Sequence, residues 1–349
     1  MKKENIAEPV PIRTFNLLRI KIPWIYAGLS QVLFTAVIWL GLASFSSHKE
    51  GDIINTKFHE TEESLVLIRG NSPGLSHPLR LTDPFRESPG LLALRDHLDI
   101  VVNQHREQGG ISKVSLYFRS LSDGRWFSIN GDAGYIPGSI LKVPVMMAFM
   151  KMEEEKPGVL NRKVTFDRPI ANPKSETYRE SPLKLGNTYT IRELIENMIV
   201  HSDNIATTLL LMNMFDSDRY RKVYSELGLP VPAPFDPDFR LTAAHISRFL
   251  RVLYNASFLN EKNSHDALEL LTRATFSEGM SGGVPAGTRV AHKFGEAGDN
   301  VQLQFSETGI FYHPEKPYLL TVMTEGSDSR LQAGLIRDLS AAAWEFMGQ

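Results

Sequence analysis

"PGSILKVPVMMAFM", residues 137–150, sets Ser139 three positions before Lys142 at the head of an apolar run. These residues alone support two readings. At a helix start, positions i and i+3 share one side, so this spacing can mark an acylating serine with Lys142 one turn on and on the same side. The same stretch also suits the start of a buried helix with no chemistry, and Met146, Met147, Phe149 and Met150 fit core packing behind it. The S-x-x-K pattern recurs at Ser46–Lys49 and Ser181–Lys184. The first lies at the end of an apolar segment and the second beside Pro182 in a loop, so neither opens an amphipathic helix.

Outward from this stretch the apolar period changes. Upstream, "LLALRDHLDIVVNQHREQ" (91–108) has helical spacing, and "KVSLYFRSL" (113–121) and "RWFSING" (125–131) read as strands joined by the turn "SDG". The middle, from Ser139 to about Leu259, is mostly helical. Downstream come the strand-like "TRVAHKFGE" (288–296), "VQLQFSETGIFYH" (301–313) and "YLLTVMTEG" (318–326), then a closing helix, "SRLQAGLIRDLSAAAWEFM" (329–347). Strands first and last with helices between predict an α+β domain: one antiparallel sheet closed by both ends of the chain, with helices packed on it and a helical subdomain beside it. There are no internal repeats and no low-complexity segment.

Two further short motifs lie in these elements. "VHSDNIATTLLL" (200–211) puts Ser202, Asp203 and Asn204 before an apolar helix, where all three residue types are also ordinary N-caps. "RVAHKFGEAGD" (289–299) carries Lys293 and Gly295 on a strand; K-x-G alone says nothing, since Lys156-Pro157-Gly158 and Lys184-Leu185-Gly186 match it too. Order and context are more selective: Ser139, Ser202 and Lys293 follow one another 63 and then 91 positions apart, on a helix start, a helix-flanking loop and a strand.

That order resembles the penicillin-recognising serine hydrolases with their S-x-x-K, S-D-N and K-T-G motifs, and over about residues 90–349 it is similar to the class A β-lactamases. The similarity extends to "YRESPLKLGNTYTIRELIENMIVHSDN" (178–204) and "PAGTRVAHKFGE" (285–296). The resemblance implies a three-layer α/β/α fold and an acyl-enzyme at Ser139. By the same resemblance Lys142 is the base, and Lys293 is the neighbouring cation that lowers its pKa. Ser202 relays a proton toward the leaving nitrogen, Asn204 holds the substrate amide, and Gly295 lies along the substrate-binding strand. The backbone N–H groups of Ser139 and Glu296 form the oxyanion hole. Substrates of this kind are D-alanyl peptide ends of peptidoglycan or β-lactams, and no cofactor or metal is expected.

The chain departs from the family pattern at two places. Class A enzymes hydrolyse the acyl-enzyme with a glutamate on a long loop after S-D-N; here "VPAPFDPDF" (231–239) is short and offers Asp236 and Asp238 but no glutamate. Phe294 stands where the family carries Thr or Ser, and it cannot make the hydroxyl's hydrogen bond to a substrate carboxylate. Strand alternation, however, turns Phe294 and Glu296 to the face opposite Lys293 and Gly295, where Phe294 is ordinary packing. His201 and His292 abut motifs but are turned away and read as structural, while Tyr178 is either a substrate contact or an exposed loop residue. Three readings follow: a D-alanyl peptidase-like hydrolase, a weak β-lactamase, or a non-catalytic wall-peptide or β-lactam sensor.

Residues 22–46 contain no Lys, Arg, Asp or Glu, and they are long enough to cross a bilayer as a helix. Lys2, Lys3, Arg13, Arg19 and Lys21 precede them, so the positive-inside rule puts the amino terminus in the cytoplasm. A cleaved signal peptide is the alternative, but the apolar region is too long and lacks an A-x-A site. The expected organisation is therefore a cytoplasmic tail (1–21), a transmembrane signal anchor (22–46), an extracytoplasmic linker (47–88) and a catalytic domain (89–349). Within the linker, "SLVLIRG" (64–70) is a candidate strand packed on the domain. The 349 residues carry a formal charge of −2 with no basic block, which argues against nucleic-acid binding. The lack of any cysteine excludes disulfides, thiol catalysis and cysteine-ligated zinc.

Overall fold

An early strand, Ile111–Ser120, and the last strand, Tyr318–Gly326, meet in one sheet. The computed structural model describes residues 65–349 apart from 71–76, 85, 171–180, 214–215, 234–235, 237, 299–301 and 315. In chain order the elements are β1 (Leu65–Arg69), β2 (Leu79–Pro84), α1 (Leu92–Glu107), β3 (Ile111–Ser120), β4 (Trp126–Ile129) and α2 (Lys142–Glu155). They continue with β5 (Lys163–Thr165), β6 (Thr188–Thr190), α3 (Ile191–Val200), α4 (Asn204–Asn213), α5 (Ser217–Glu226), α6 (Ala243–Tyr254) and α7 (Glu261–Thr272). The chain closes with β7 (Val290–Gly298), β8 (Leu303–Phe311), β9 (Tyr318–Gly326) and α8 (Ser329–Met347).

The main sheet has the order β4-β3-β9-β8-β7 and is antiparallel throughout, with the early strand β3 beside the late strand β9 in the register Leu116↔Val322. Period-two alternation divides its side chains between two cores. Leu116 and Phe118 point to the layer of α1 and α8, where Leu94, Leu98 and Val102 meet Leu335, Ile336 and Leu339. Tyr117 points to the other layer, which is built around α2 and includes α3, α6 and α7. From Val143 to Met150 every α2 side chain is buried, so the methionine and phenylalanine cluster there is core packing. These three layers match the architecture expected from the sequence.

The folded region begins earlier than residue 89. Residues 65–69 and 79–84, inside the expected linker, form an antiparallel hairpin, the strand reading of "SLVLIRG". Ile68 and Leu81 enter the core, Arg80 pairs with Glu226, and Asp83 accepts from Arg119 at 3.0 Å and also from Arg251. Two ion-paired clamps thus hold a segment whose own apolar content is small. The expected membrane anchor lies outside the described residues. Among the described residues, no helix is long and apolar enough to cross a membrane.

The helices that deliver the site are firmly started. Thr190 and Glu193 cap α3 reciprocally: the Glu193 N–H donates to Thr190 Oγ1 at 3.2 Å, and the Thr190 N–H donates to Glu193 Oε2 at 2.7 Å. The far end of α3 stops at His201, leaving Ser202 in the connection to α4.

Candidate active site

Ser139 sits in a tight 3-10 turn, Gly138–Leu141, that runs directly into α2 at Lys142. The turn is pressed against the edge strand β7. A Cβ on Gly295 would lie 2.2 Å from the Pro137 carbonyl oxygen and 3.0 Å from the Ser139 nitrogen. A Cβ on Gly138, whose φ is +56°, would lie 2.3 Å from the Glu296 carbonyl oxygen. Both obstructions are backbone, so only glycine fits on either side of the contact. This close approach puts the Ser139 turn against the Gly295–Glu296 segment of β7.

The S-D-N loop supplies the third part. Ser202 is 1% exposed and held at φ +54°, a left-handed conformation that a non-glycine residue rarely adopts. Asp203 does the capping: its Oδ1 accepts from the Ile205 N–H at 2.7 Å and the Ala206 N–H at 3.2 Å, while its Oδ2 accepts from the Ser181 hydroxyl. The neighbours on either side are turned to the lysines. Lys142 Nζ donates to the Ser202 carbonyl at 2.6 Å and to Asn204 Oδ1 at 2.7 Å, and it lies 3.3 Å from Ser202 Oγ. Lys293 Nζ donates to Ser202 Oγ at 2.8 Å and to its own strand's Phe294 carbonyl at 3.0 Å. One hydroxyl therefore bridges two amines.

Burial pushes the Lys142 amine down from 10.5 to about 7, against the opposing pull of the Asp203 carboxylate. Lys293 is also held well below the ordinary lysine range, chiefly by burial and then by the Lys142 charge; the buried Glu307 carboxylate opposes both. Around neutral pH, Lys142 is thus available as a base, the state that serine activation requires.

Phe294 combines the two sequence expectations. Its ring packs with Phe276 and Phe305 at centroid distances of 4.4 and 5.9 Å, yet the Lys293 ammonium lies 4.3 Å from the same ring's centre. His292 is structural, as alternation indicated, and its Nδ1 is 2.6 Å from Glu307 Oε1. Glu307 also accepts from the Met280 N–H at 2.9 Å, so a fully buried carboxylate braces the back of β7. No local pattern marks Glu307, because only the cross-strand register Phe294↔Glu307 brings it there. His201 caps α3, and Tyr178 falls outside the described residues.

Ser139, Lys142, Asn204 and Glu296 line one cleft of about 660 Å³, together with Gly138, Leu141, Val145, Thr207, Leu211 and Tyr220. Ser202, Lys293 and Gly295 lie behind it through the contacts above. Asp236 and Asp238 are not among the lining residues; Asp236 Oδ1 instead accepts from the Asp238 N–H at 3.0 Å. Among the described residues, no group of three or more histidine or acidic side chains could hold a metal ion.

A serine at a tight turn, a lysine one turn on and a second serine between two buried lysines, carried on an α/β/α sandwich, define a β-lactamase-like serine hydrolase. Residues 93–347 match the Beta-lactamase enzyme family, and the chain belongs to it. It is 21% identical over 238 residues to β-lactamase VEB-1 of Pseudomonas aeruginosa, covering 62% of this chain and 80% of that protein. Its fold is similar to that of PBP-A, at 20% identity and a TM-score of 0.61, covering 72% of this chain and 96% of that one. The class A β-lactamase from Mycobacterium abscessus is similar to the same degree, with 19% identity, a TM-score of 0.61, and 72% and 100% of the two chains covered.

Proposed function

We propose that the chain is a membrane-anchored serine hydrolase or acyltransferase that forms an acyl-enzyme at Ser139 on D-alanyl peptide ends of peptidoglycan or on β-lactams. The observation that carries this reading is the Ser202 hydroxyl held between the amines of Lys142 and Lys293. Neutral Lys142 takes the Ser139 proton as Oγ attacks the acyl carbon. Ser202 then passes a proton from the lysine pair to the departing nitrogen, and the two lysines titrate as a coupled unit. The backbone N–H groups of Ser139 and Glu296 are the oxyanion donors, consistent with the close packing of turn and strand. Asn204 turns its Oδ1 to Lys142, so a substrate carbonyl meets its NH2 group.

Deacylation is slow in this reading. Among the described residues of 231–239, neither Asp236 nor Asp238 lines the cleft, and Glu296 is the one acidic residue among its described lining residues. A PBP-A variant of similar fold, 21% identical with a TM-score of 0.61, has been solved as an acyl-enzyme with penicillin G. The apolar segment 22–46 supports an anchor with the domain outside the cytoplasm. A weak β-lactamase is the second reading, favoured by the similarity to VEB-1.

Intact-mass measurement of the full-length protein after incubation with a penicillin, beside Ser139→Ala, tests the proposal. A lasting adduct absent from the variant is the expected result. Rapid drug consumption without an adduct would favour the β-lactamase reading, and neither adduct nor consumption would point to a non-catalytic binding module.

A further inference from the structure

The two helices that carry the reacting groups both start at the site and lead away from it, and their cleft-facing stripes change character along the way. On α2 and its preceding turn the stripe runs Ser139, Leu141, Lys142, Val145; on α4 it runs Asn204, Thr207, Leu211 at i, i+3 and i+7. The second stripe extends about 10 Å from the Lys142 partner to Leu211 at 1.5 Å per residue. Thr207 donates its hydroxyl to the Asp203 carbonyl at 2.7 Å, which leaves its methyl group for the cleft. Tyr220 directs its hydroxyl to Tyr224 at 2.7 Å, and Leu211 is 40% exposed. Ser139 therefore shares its cleft with an aliphatic and aromatic wall of Leu141, Val145, Leu211 and Tyr220. Scattered exposed leucines need no explanation, but here Leu141, Val145 and Leu211 converge on a single hollow continuous with Ser139.

We infer that this outer wall is an acyl-chain subsite, and that Ser139 takes acyl groups with an unbranched apolar tail in preference to short ones. The inference rests on Ser139 being the nucleophile. In the step considered, Ser139 Oγ bonds to the acyl carbon, the bond from that carbon to the leaving oxygen breaks, and the serine proton goes to Lys142. Lys142 passes that proton through Ser202 to the leaving oxygen, which departs as the alcohol; water then attacks the acyl carbon, the bond to Ser139 Oγ breaks, one water proton restores the serine hydroxyl, and the fatty acid is released. The occupant is the substrate's own acyl chain because Ser139 lines the same hollow, and because chain burial there removes Leu211 from water.

The test uses the full-length protein with p-nitrophenyl acetate, butyrate, hexanoate and octanoate, with the Ser139→Ala rate subtracted. The expected result is a rise in kcat/KM of roughly two- to fourfold per added methylene, the range from partial to full burial of each group. Leu211→Asn should lower the octanoate-to-acetate ratio at least tenfold, while Leu67→Asn on the exposed hairpin should leave that ratio as in the wild type. Comparing ratios between variants cancels partition of the esters into detergent. A chain-length dependence that is flat, or one unchanged by Leu211→Asn, overturns the subsite while leaving acylation of Ser139 intact. Absence of any Ser139-dependent turnover or adduct overturns both.

Discussion

The displaced Lys142 amine makes a sharp prediction about pH. An ordinary lysine titrates near 10.4, so only about four amines in ten thousand are neutral at pH 7. With its pKa near 7, about half of Lys142 is neutral there, an increase of roughly a thousandfold in available base. The rate of Ser139 acylation, followed as adduct formation under limiting reagent, should climb about tenfold per pH unit up to near 7 and be flat above about 8. Asp203 supplies a second arm. Its carboxylate opposes the shift, so Asp203→Asn should move the bend to lower pH, while the retained Oδ1 still caps α4. Linkage gives an independent check. Between the folded pKa and 10.5 the unfolded chain binds more protons than the native one, so this lysine's contribution to stability rises with pH across that window. Any stability advantage of Lys142→Met over the wild type should accordingly shrink from pH 7 upward. A bend at pH 9 or above, or an alkaline shift in Asp203→Asn, would refute the assignment of Lys142 as a desolvated base.

Other outcomes follow from backbone and packing. Gly295→Ala puts a methyl 2.2 Å from a carbonyl oxygen that no rotamer change can move, so it should cost roughly 1–3 kcal/mol in urea unfolding and slow acylation about a hundredfold by displacing the Ser139 turn. Ser202→Gly and Ser202→Ala both remove the bridging hydroxyl and should be equally impaired in acylation, yet the glycine variant should be more stable by about 1 kcal/mol, because only it accepts φ +54° without strain. Asp83→Ala leaves the buried Arg119 and Arg251 without their carboxylate, a loss expected at about 3 kcal/mol by thermal or urea melt. Equal stabilities of the two Ser202 variants, or an unchanged melt for Asp83→Ala, would show those local arguments to be wrong.

What could be read in the sequence was what short-range periodicity and residue type encode. The closing helix appears over the residues expected, 329–347, and the early strand β3 pairs with the last strand β9, as a sheet closed by both ends of the chain requires. The S-D-N motif shows where such reading ends. Ser, Asp and Asn all cap helices, so type alone could not say that Asp203 does the capping while Ser202 and Asn204 face the lysines. The need for glycine at 138 was equally hidden, because it is imposed by Glu296 on a strand far downstream. The β1–β2 hairpin reads in the sequence only as a possible strand because its retention depends on Glu226, Arg119 and Arg251, none of them near it in sequence.

Phe294 shows how a motif can change without losing its chemistry. The Lys293 amine is positioned by the Ser202 hydroxyl and by the Phe294 main-chain carbonyl, and neither contact depends on the side chain at 294. The ring instead lies against the Lys293 ammonium and joins the aromatic packing with Phe276 and Phe305. Replacing a hydroxyl by this ring therefore leaves the contacts of Lys293 with Ser202 and with the main chain in place. In the reading proposed above, the departure bears on recognition rather than on proton transfer, in line with the apolar Leu141, Val145 and Leu211 that share the cleft with Ser139.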